Sequence, residues 1–232
     1  MTMEFLNNDE RIKLISAFIE NGVIIPCPDG VIIEKDVRIG EGTVIMPNTV
    51  LLGKTVIGTQ SVIGPNSYIS NSTVGDHTTL NNTQCYDSQI GSGVTAGPFV
   101  HIRPDCKIDD GVHIGNFVEV KNSTVGEGSK LPHLLYVGDS DVGKTVNFGC
   151  GCVTVNYDGR NKTRTTVKDG AFIGCNTNLI APVTIGENAF TAAGSTITED
   201  VPDNALAVAR ERQTVKEDWV NIKKPYKRQH GE

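Results

Sequence analysis

The side chains able to do chemistry crowd into one third of the chain. His101, Arg103, Lys107, His113, Lys121, Lys130, His133, Tyr136, Asn147, Asn156, Tyr157 and Lys162 all fall between positions 101 and 162. Arg103 and Lys121 stand 18 positions apart with no obvious carboxylate partner. In a chain that coiled once every 18 residues they would stack, and two stacked cations form a clamp for a phosphate. The same pair also reads as a solvated basic patch. His133 follows Pro132, and a histidine titrating near neutrality can take a proton from an amine or hydroxyl nucleophile; it reads equally as a surface histidine at a corner.

Other chemistries fit less well. Cys27, Cys85, Cys106, Cys150, Cys152 and Cys175 include no CxxC pair, and Cys150-Gly151-Cys152 has no second pair nearby, so they read as reduced thiols filling core and turn positions. No HExxH or similar metal signature occurs, and no metal is expected. A metal-dependent carbonic anhydrase would need three converging ligands, and the spacings of His101, His113 and His133 do not give them a common coil position.

Composition bounds the partners. Twenty-seven acidic and 21 basic residues leave a formal charge of -6, so nothing global draws the chain to nucleic acid or to an anionic membrane. An anionic ligand must be held by a local cluster. The opening MTMEFLNNDERIKL lacks the basic and apolar regions of a secretory leader, and no apolar run is long enough to span a bilayer, so a soluble cytoplasmic protein is expected. Aromatics are only 6% while Gly numbers 25, the signature of a core of small and β-branched side chains with many tight turns.

These residues are positioned by a repeat of six. Ile33, Ile39, Ile45, Leu51, Ile57, Ile63 and Ile69 keep one phase; Ile90, Ala96, Ile102, Ile108, Ile114 and Val120 resume it; Val167, Ile173, Leu179, Ile185, Thr191 and Ile197 form a third run. A helix cannot use this period, because six steps of about 100° rotate successive side chains by about 240° and scatter the aliphatics. A three-sided coil can: each short strand points one aliphatic inward before Gly, Asn or Asp turns a corner, and stacked coils bury the ladder. Positions 31–200 then form a parallel β-helix of about nine or ten coils. The slips between Val74 and Ile90 and between Val120 and Val125 read as loosened corners, and the polar stretch at about 156–166 reads as a loop leaving the coil.

The ends differ. In residues 1–30, Ile12, Leu14, Ile15, Phe18 and Ile19 mark a short amphipathic helix over 8–21, with Asn8 as its expected cap and Gly22 as its stop, covering the open end of the first coil. Residues 201–232 hold the lone Trp219 and the basic Lys223, Lys224, Lys227 and Arg228, and read as an extended arm that packs on the solenoid or on a neighbour.

The segments Gly97–Pro104, Ile114–Lys121, His133–Asp139 and Val155–Lys162 resemble the C-terminal acetyltransferase domain of the bacterial bifunctional N-acetylglucosamine-1-phosphate uridyltransferase/glucosamine-1-phosphate acetyltransferase family. The likeness continues through Leu179–Gly186, Ala192–Ser195, Asn204–Arg210 and Gln213–Trp219, so that it covers roughly residues 11–219. It implies an all-β, left-handed parallel β-helix of hexapeptide repeats, assembled as a homotrimer with sites between subunits and the C-terminal arm helping to close them. It implies transfer of acetyl from acetyl-CoA to the 2-amino group of glucosamine 1-phosphate, in UDP-N-acetylglucosamine biosynthesis. By motif, Arg103 and Lys121 match phosphate-holding residues, His133 the general base, and Tyr136, Asn147 and Lys162 substrate contacts. Asn156, Tyr157, Cys150, Cys175, Ala193 and Arg210 match the acetyl-CoA side.

The sequence also departs from the family. No Gly-rich nucleotide-binding segment precedes the coils, so uridyl transfer is not expected from this chain, and a separate uridyltransferase partner would have to supply it. Cys175 stands where Ser is common and Cys150 where Ala is frequent; Leu134 and Leu135 put an aliphatic where Ser or Thr is usual. Two other functions stay open: acetyl transfer to a different amino sugar or nucleotide-linked amino sugar, and a non-catalytic structural or regulatory solenoid.

Overall fold

The computed structural model describes residues 7–223. Helix α1 (Asn8–Glu20) opens the chain, and its cap is Asn7 rather than Asn8: the Asn7 side chain accepts from Glu10 N while Glu10 accepts from Asn7 N. This reciprocal box satisfies two otherwise free amides, which is why the helix starts one residue earlier than expected. Ile15 faces the coil and is buried.

The rest is a parallel β-solenoid of about 10 turns, consistent with the left-handed coil expected. Its strands are two or three residues long for the most part, and every pairing between named strands is parallel. They line three faces. The first carries, among others, Val44–Ile45, Asn147–Phe148, Phe172–Ile173 and Phe190–Thr191; the second carries Tyr68–Ser70, Val100–Ile102 and Val153–Val155; the third carries Arg38–Ile39, Lys107–Ile108 and Thr165–Val167. Two nine-residue strands, His113–Lys121 and Lys130–Gly138, run through the corner between the first and second faces and join them into one hydrogen-bonded sheet.

The six-residue ladder is the core. Ile45, Leu51, Ile63, Ile69, Ile102, Ile114, Val120, Ile173, Leu179 and Ile185 have no measurable exposure, and Thr191 is buried in the same register. Cys85 takes an aliphatic's place in this ladder, in register with Ile69 and Ile102, while Cys106 and Cys152 are buried two residues before ladder positions, in line with Ser88 and Thr177; burial pushes the Cys85 thiol up to about 12 and the Cys152 thiol up to about 11. A thiol there is a small apolar filler.

The slips are corners shortened by a residue. Ile69 pairs with Cys85 and Val74 with Ile90, while Ile90 pairs with Ile108 at the full 18. Asn71, Asn82, Asp87 and Asn122 take positive φ at these corners, a conformation that Asn and Asp tolerate best among residues with a side chain. The expected excursion is present and is a compact hairpin. Thr163 N donates to Asn156 O, Tyr157 and Lys162 form an antiparallel bridge, and Asp158 accepts from the backbone of Arg160 and Asn161.

The coil outruns the boundaries expected for it. Ile24 bridges to Val44 at one end; at the other, Val201 bridges to Ile185, Leu206–Ala207 pairs with Phe190–Thr191, and Thr196 N reaches Ala209 O. The arm therefore begins near Arg210. It includes the five-residue α2 (Trp219–Lys223), and Val215, Trp219, Val220 and Ile222 are exposed. Lys224, Lys227 and Arg228 lie outside the described residues. Among the described residues no helix is long and apolar enough to cross a membrane.

Candidate active site

The second face presents the cations. Its outward positions alternate with the buried ladder, so His101, Glu119 and Tyr136 form one row across successive coils, in direct register, and Arg103 and Lys121 lie two residues further along. Arg103 N donates to Val120 O at 2.8 Å, which sets Arg103 beside Lys121 one coil away, as the 18-residue spacing predicts.

The expectation that these cations lack carboxylate partners is wrong. Arg103 Nη1 lies 2.9 Å from Glu119 Oε1, and Lys121 Nζ lies 3.4 Å from Asp139 Oδ2. Both partners are 16 to 18 residues away, so stacking delivers them from a neighbouring coil, where a reading along the chain does not look.

Tyr136 is turned along its own strand. A Cβ placed on Gly138 would lie 2.3 Å from the Tyr136 hydroxyl, so only glycine leaves room for the ring. The ring reaches toward the corner between the second and third faces, where Asn156 Nδ2 sits 3.5 Å from Tyr136 Oη. Asn156 is buried and its amide also donates to Asp139 Oδ2. Asn156 thus stands with Tyr136 and Lys121. Tyr157 and Lys162 project from the adjoining hairpin and are exposed.

His133 is at the opposite edge of the same face, in the corner between the first and second faces, and is exposed. Its Nδ1 lies 3.2 Å from Asn116 Oδ1. A carbonyl oxygen only accepts, so Nδ1 is the donor of this pair and Nε2 is the ring nitrogen left free of it. The approach of Asn116 depends on Gly115, where a Cβ would fall 1.8 Å from Pro132 O.

Further along the axis the same corner collects four of the six residues matched to the acetyl-CoA side; Asn156 and Tyr157 lie instead at the corner between the second and third faces. His133 O accepts from Gly151 N, Cys150 O from Asn176 N, and Cys175 O from Gly194 N, so that His133, Cys150, Cys175 and Ala193 occupy one column, one per coil. Arg210 ends it: its Cδ lies 3.7 Å from where a Gly194 Cβ would be. Cys175 is exposed and Cys150 half-buried.

Two of the expected residues are not brought to this surface within one chain. Asn147 is on the first face, in register with Lys130 and Phe172, and Tyr157 is on the hairpin at the corner remote from the His133 column. Three residues missed in the sequence are Glu119, Asn116 and Asp139. Spacing held a signal for them, since each sits about one coil from Arg103, His133 and Lys121 respectively. Among the described residues no group of three or more His, Cys, Asp or Glu side chains gathers as a metal site would.

Comparison with known proteins agrees with this architecture. The model of the bacterial transferase hexapeptide (six repeats) matches residues 36–71, 87–122 and 164–199, leaving out 72–86 and the stretch 123–163 that holds most of the hairpin. The bifunctional protein GlmU of Geobacillus sp. (strain WCH70) is 58% identical over 211 residues, which is 91% of this chain and 46% of that protein. GlmU of Acetivibrio thermocellus is 49% identical over 222 residues, or 96% of this chain and 48% of that protein. The chain spans about half the length of the curated relatives it matches. The solved Arabidopsis UDP-N-acetylglucosamine acyltransferase shares the fold, with a TM-score of 0.50 at 14% identity over 81% of this chain and 70% of that one. The chain is a β-solenoid of hexapeptide repeats, similar along nine-tenths of its length to part of the bifunctional protein GlmU.

Proposed function

We propose that this chain transfers the acetyl group of acetyl-CoA to the 2-amino group of glucosamine 1-phosphate, a step toward UDP-N-acetylglucosamine. The observation that carries the reading is the position of the two residue sets on adjoining strips of one surface: Arg103, Lys121 and Tyr136 on the second face, and the column His133, Cys150, Cys175, Ala193 and Arg210 along its edge.

Arg103 and Lys121 hold the sugar phosphate, and Tyr136 lines the acceptor side. Along the edge, Arg210 meets a phosphate of the cofactor, and Cys175 and Ala193 flank its pantetheine. Nε2 of His133 takes a proton from the 2-amino group as its nitrogen attacks the thioester carbonyl carbon, forming the C–N bond. The tetrahedral oxyanion then collapses, the C–S bond breaks, and the CoA thiolate leaves and takes the proton back from the imidazolium. Fixing amine and thioester side by side supplies much of the acceleration.

The remaining members argue for more than one copy. Asn147 faces away from Arg103 within a chain, and the exposed, stacked Phe172 and Phe190 lie beside it with rings 5.2 Å apart. A homotrimer in which Asn147 of one copy meets the second face of the next would complete the set and cover these rings.

A second reading has its own support. Arg103 and Lys121 are matched one for one by Glu119 and Asp139, so the face is close to neutral, which suits a less anionic amino sugar as acceptor. A thiol-release assay separates the two: acetyl-CoA is offered with glucosamine 1-phosphate, with free glucosamine and with a UDP-linked amino sugar. Release confined to glucosamine 1-phosphate and abolished in His133→Ala supports the first reading. Release with another amine moves the acceptor, and silence with all three leaves a non-catalytic solenoid.

A further inference from the structure

Among the described residues Asp139 is the most enclosed carboxylate, only 4% exposed, at a corner where its neighbours in sequence give it no partner. Three side chains from other coils converge on it. Asn122 Nδ2 donates to Oδ1 at 2.5 Å, Lys121 Nζ lies 3.4 Å from Oδ2, and Asn156 Nδ2 donates to Oδ2 as well. Its backbone is engaged too: Asp139 N donates to Lys121 O, and Asp139 O accepts from Thr165 N.

Asn156 and Thr165 are the residues at which the chain leaves the coil for the hairpin and returns to it. Asp139 therefore grips both ends of the excursion, the exit by its side chain and the return by its carbonyl. Arg164 adds a second fastening through Asp141, Ser140 O and Asn122 O.

We propose that Asp139 is a positioning residue for the acceptor side of the site: its buried carboxylate holds the Lys121 ammonium, the Asn156 amide and, through Asn156, the 157–163 hairpin in a single arrangement. This rests on the acetyl-transfer reading above for its kinetic consequence but not for its structural one. Lys121 has three N–H donors and spends one on Asp139, so the carboxylate fixes the direction in which the others point at an anion. Charge alone predicts the reverse effect, since a carboxylate beside Lys121 competes with a phosphate for it. Removing the carboxylate therefore tells positioning from competition.

Asp139→Asn tests this in the full chain. The backbone there has φ 47, which Asn adopts readily, and the side chain keeps its shape. The expected result is a rise of about 10- to 100-fold in KM for glucosamine 1-phosphate, with KM for acetyl-CoA unchanged and kcat lowered less than KM is raised. Hydrogen exchange of amides 157–163 is expected to speed at least about tenfold while the Ile63 and Ile173 coils keep their protection. Asn122→Ala, which leaves the carboxylate in place and takes one donor from it, is expected to move both readouts the same way by less, and it decides the matter if Asp139→Asn does not fold. A lower KM for glucosamine 1-phosphate, or equal rises for both substrates, overturns the proposal. If the wild-type chain releases no thiol with any amino sugar, the acetyl-transfer reading fails by itself. The exchange rates then decide: unchanged protection of 157–163 overturns the positioning role, and faster exchange supports it.

Discussion

The two edges of the second face are built from the same repeat and end up with opposite character. At one edge His133 is exposed, held by a single contact to Asn116, with Phe99, Phe117 and Leu134 standing out beside it at successive coils. At the other edge Asp139 is buried under three side-chain contacts and fastened to a hairpin. Corners of a solenoid are where inward packing relaxes, and the chain can spend that freedom by exposing a reactive group or by tying coils together. Open groups should carry rate, and enclosed groups should carry geometry and stability.

His133→Ala is the strongest way to sharpen that contrast. Thiol release should fall by about 10²- to 10⁴-fold, the range for loss of a general base, while the thermal midpoint stays where it is, since the exposed ring buries little. A matching fall in thermal midpoint would mean that the open edge also holds the fold. Asn116→Ala should have a smaller effect at the same edge. Losing the acceptor that orients Nδ1 is expected to lower kcat about tenfold and to leave KM for either substrate little changed. An unaltered kcat would show that the ring is held by something else.

Acid should act on the enclosed edge. Burial pushes the Asp139 carboxyl up, but hydrogen bonds from Asn122 and Asn156 and the charge of Lys121 outweigh it, and the net result lies below the usual 3.8. Asp141 is also held below 3.8, chiefly by its hydrogen bond from Arg164. Between the folded value and 3.8 the folded chain binds fewer protons than the unfolded one, so stability rises with pH in that window. The contribution is complete above 3.8 and is lost as pH falls through the folded values. Melting followed from pH 6 to pH 2 should show this fall, and Asp139→Asn should flatten it; equal slopes would remove Asp139 from the account.

The smallest expected difference is among the thiols. Brief alkylation of the folded chain near pH 8 should label the exposed Cys27 and Cys175 and leave Cys85 and Cys152 untouched until unfolding, because burial holds those two protonated at about 12 and about 11. Acetyl-CoA should slow labelling of Cys175 and not of Cys27. Protection of both would point to a change in the whole fold, and protection of neither would separate Cys175 from the cofactor column.

Much of this was legible along the chain. The phase of Ile33 through Ile69 foretold the buried ladder, and the 18-residue gap between Arg103 and Lys121 foretold their adjacency. The helix was legible to within a residue at its cap, where Asn7 and Asn8 are chemically alike and only Glu10 decides between them. The ion-pair partners were not legible, because Glu119 and Asp139 become neighbours of Arg103 and Lys121 only through the stack. Nor was the end of the coil, since Leu206–Ala207 lacks the glycine punctuation of earlier turns yet still finds Phe190–Thr191 to pair with.

What the sequence determined by itself is the repeat, hence the solenoid, its inward residues and the order of residues along each corner. A period of six leaves one inward position per side, and burial enforces it at every coil. What only the tertiary structure decided is which polar groups face one another across coils. That pairing depends on the length of the coil between the partners, which varies at corners such as Asn122, and a shift of one residue between Lys121 and Asp139 would hand Lys121 a different partner.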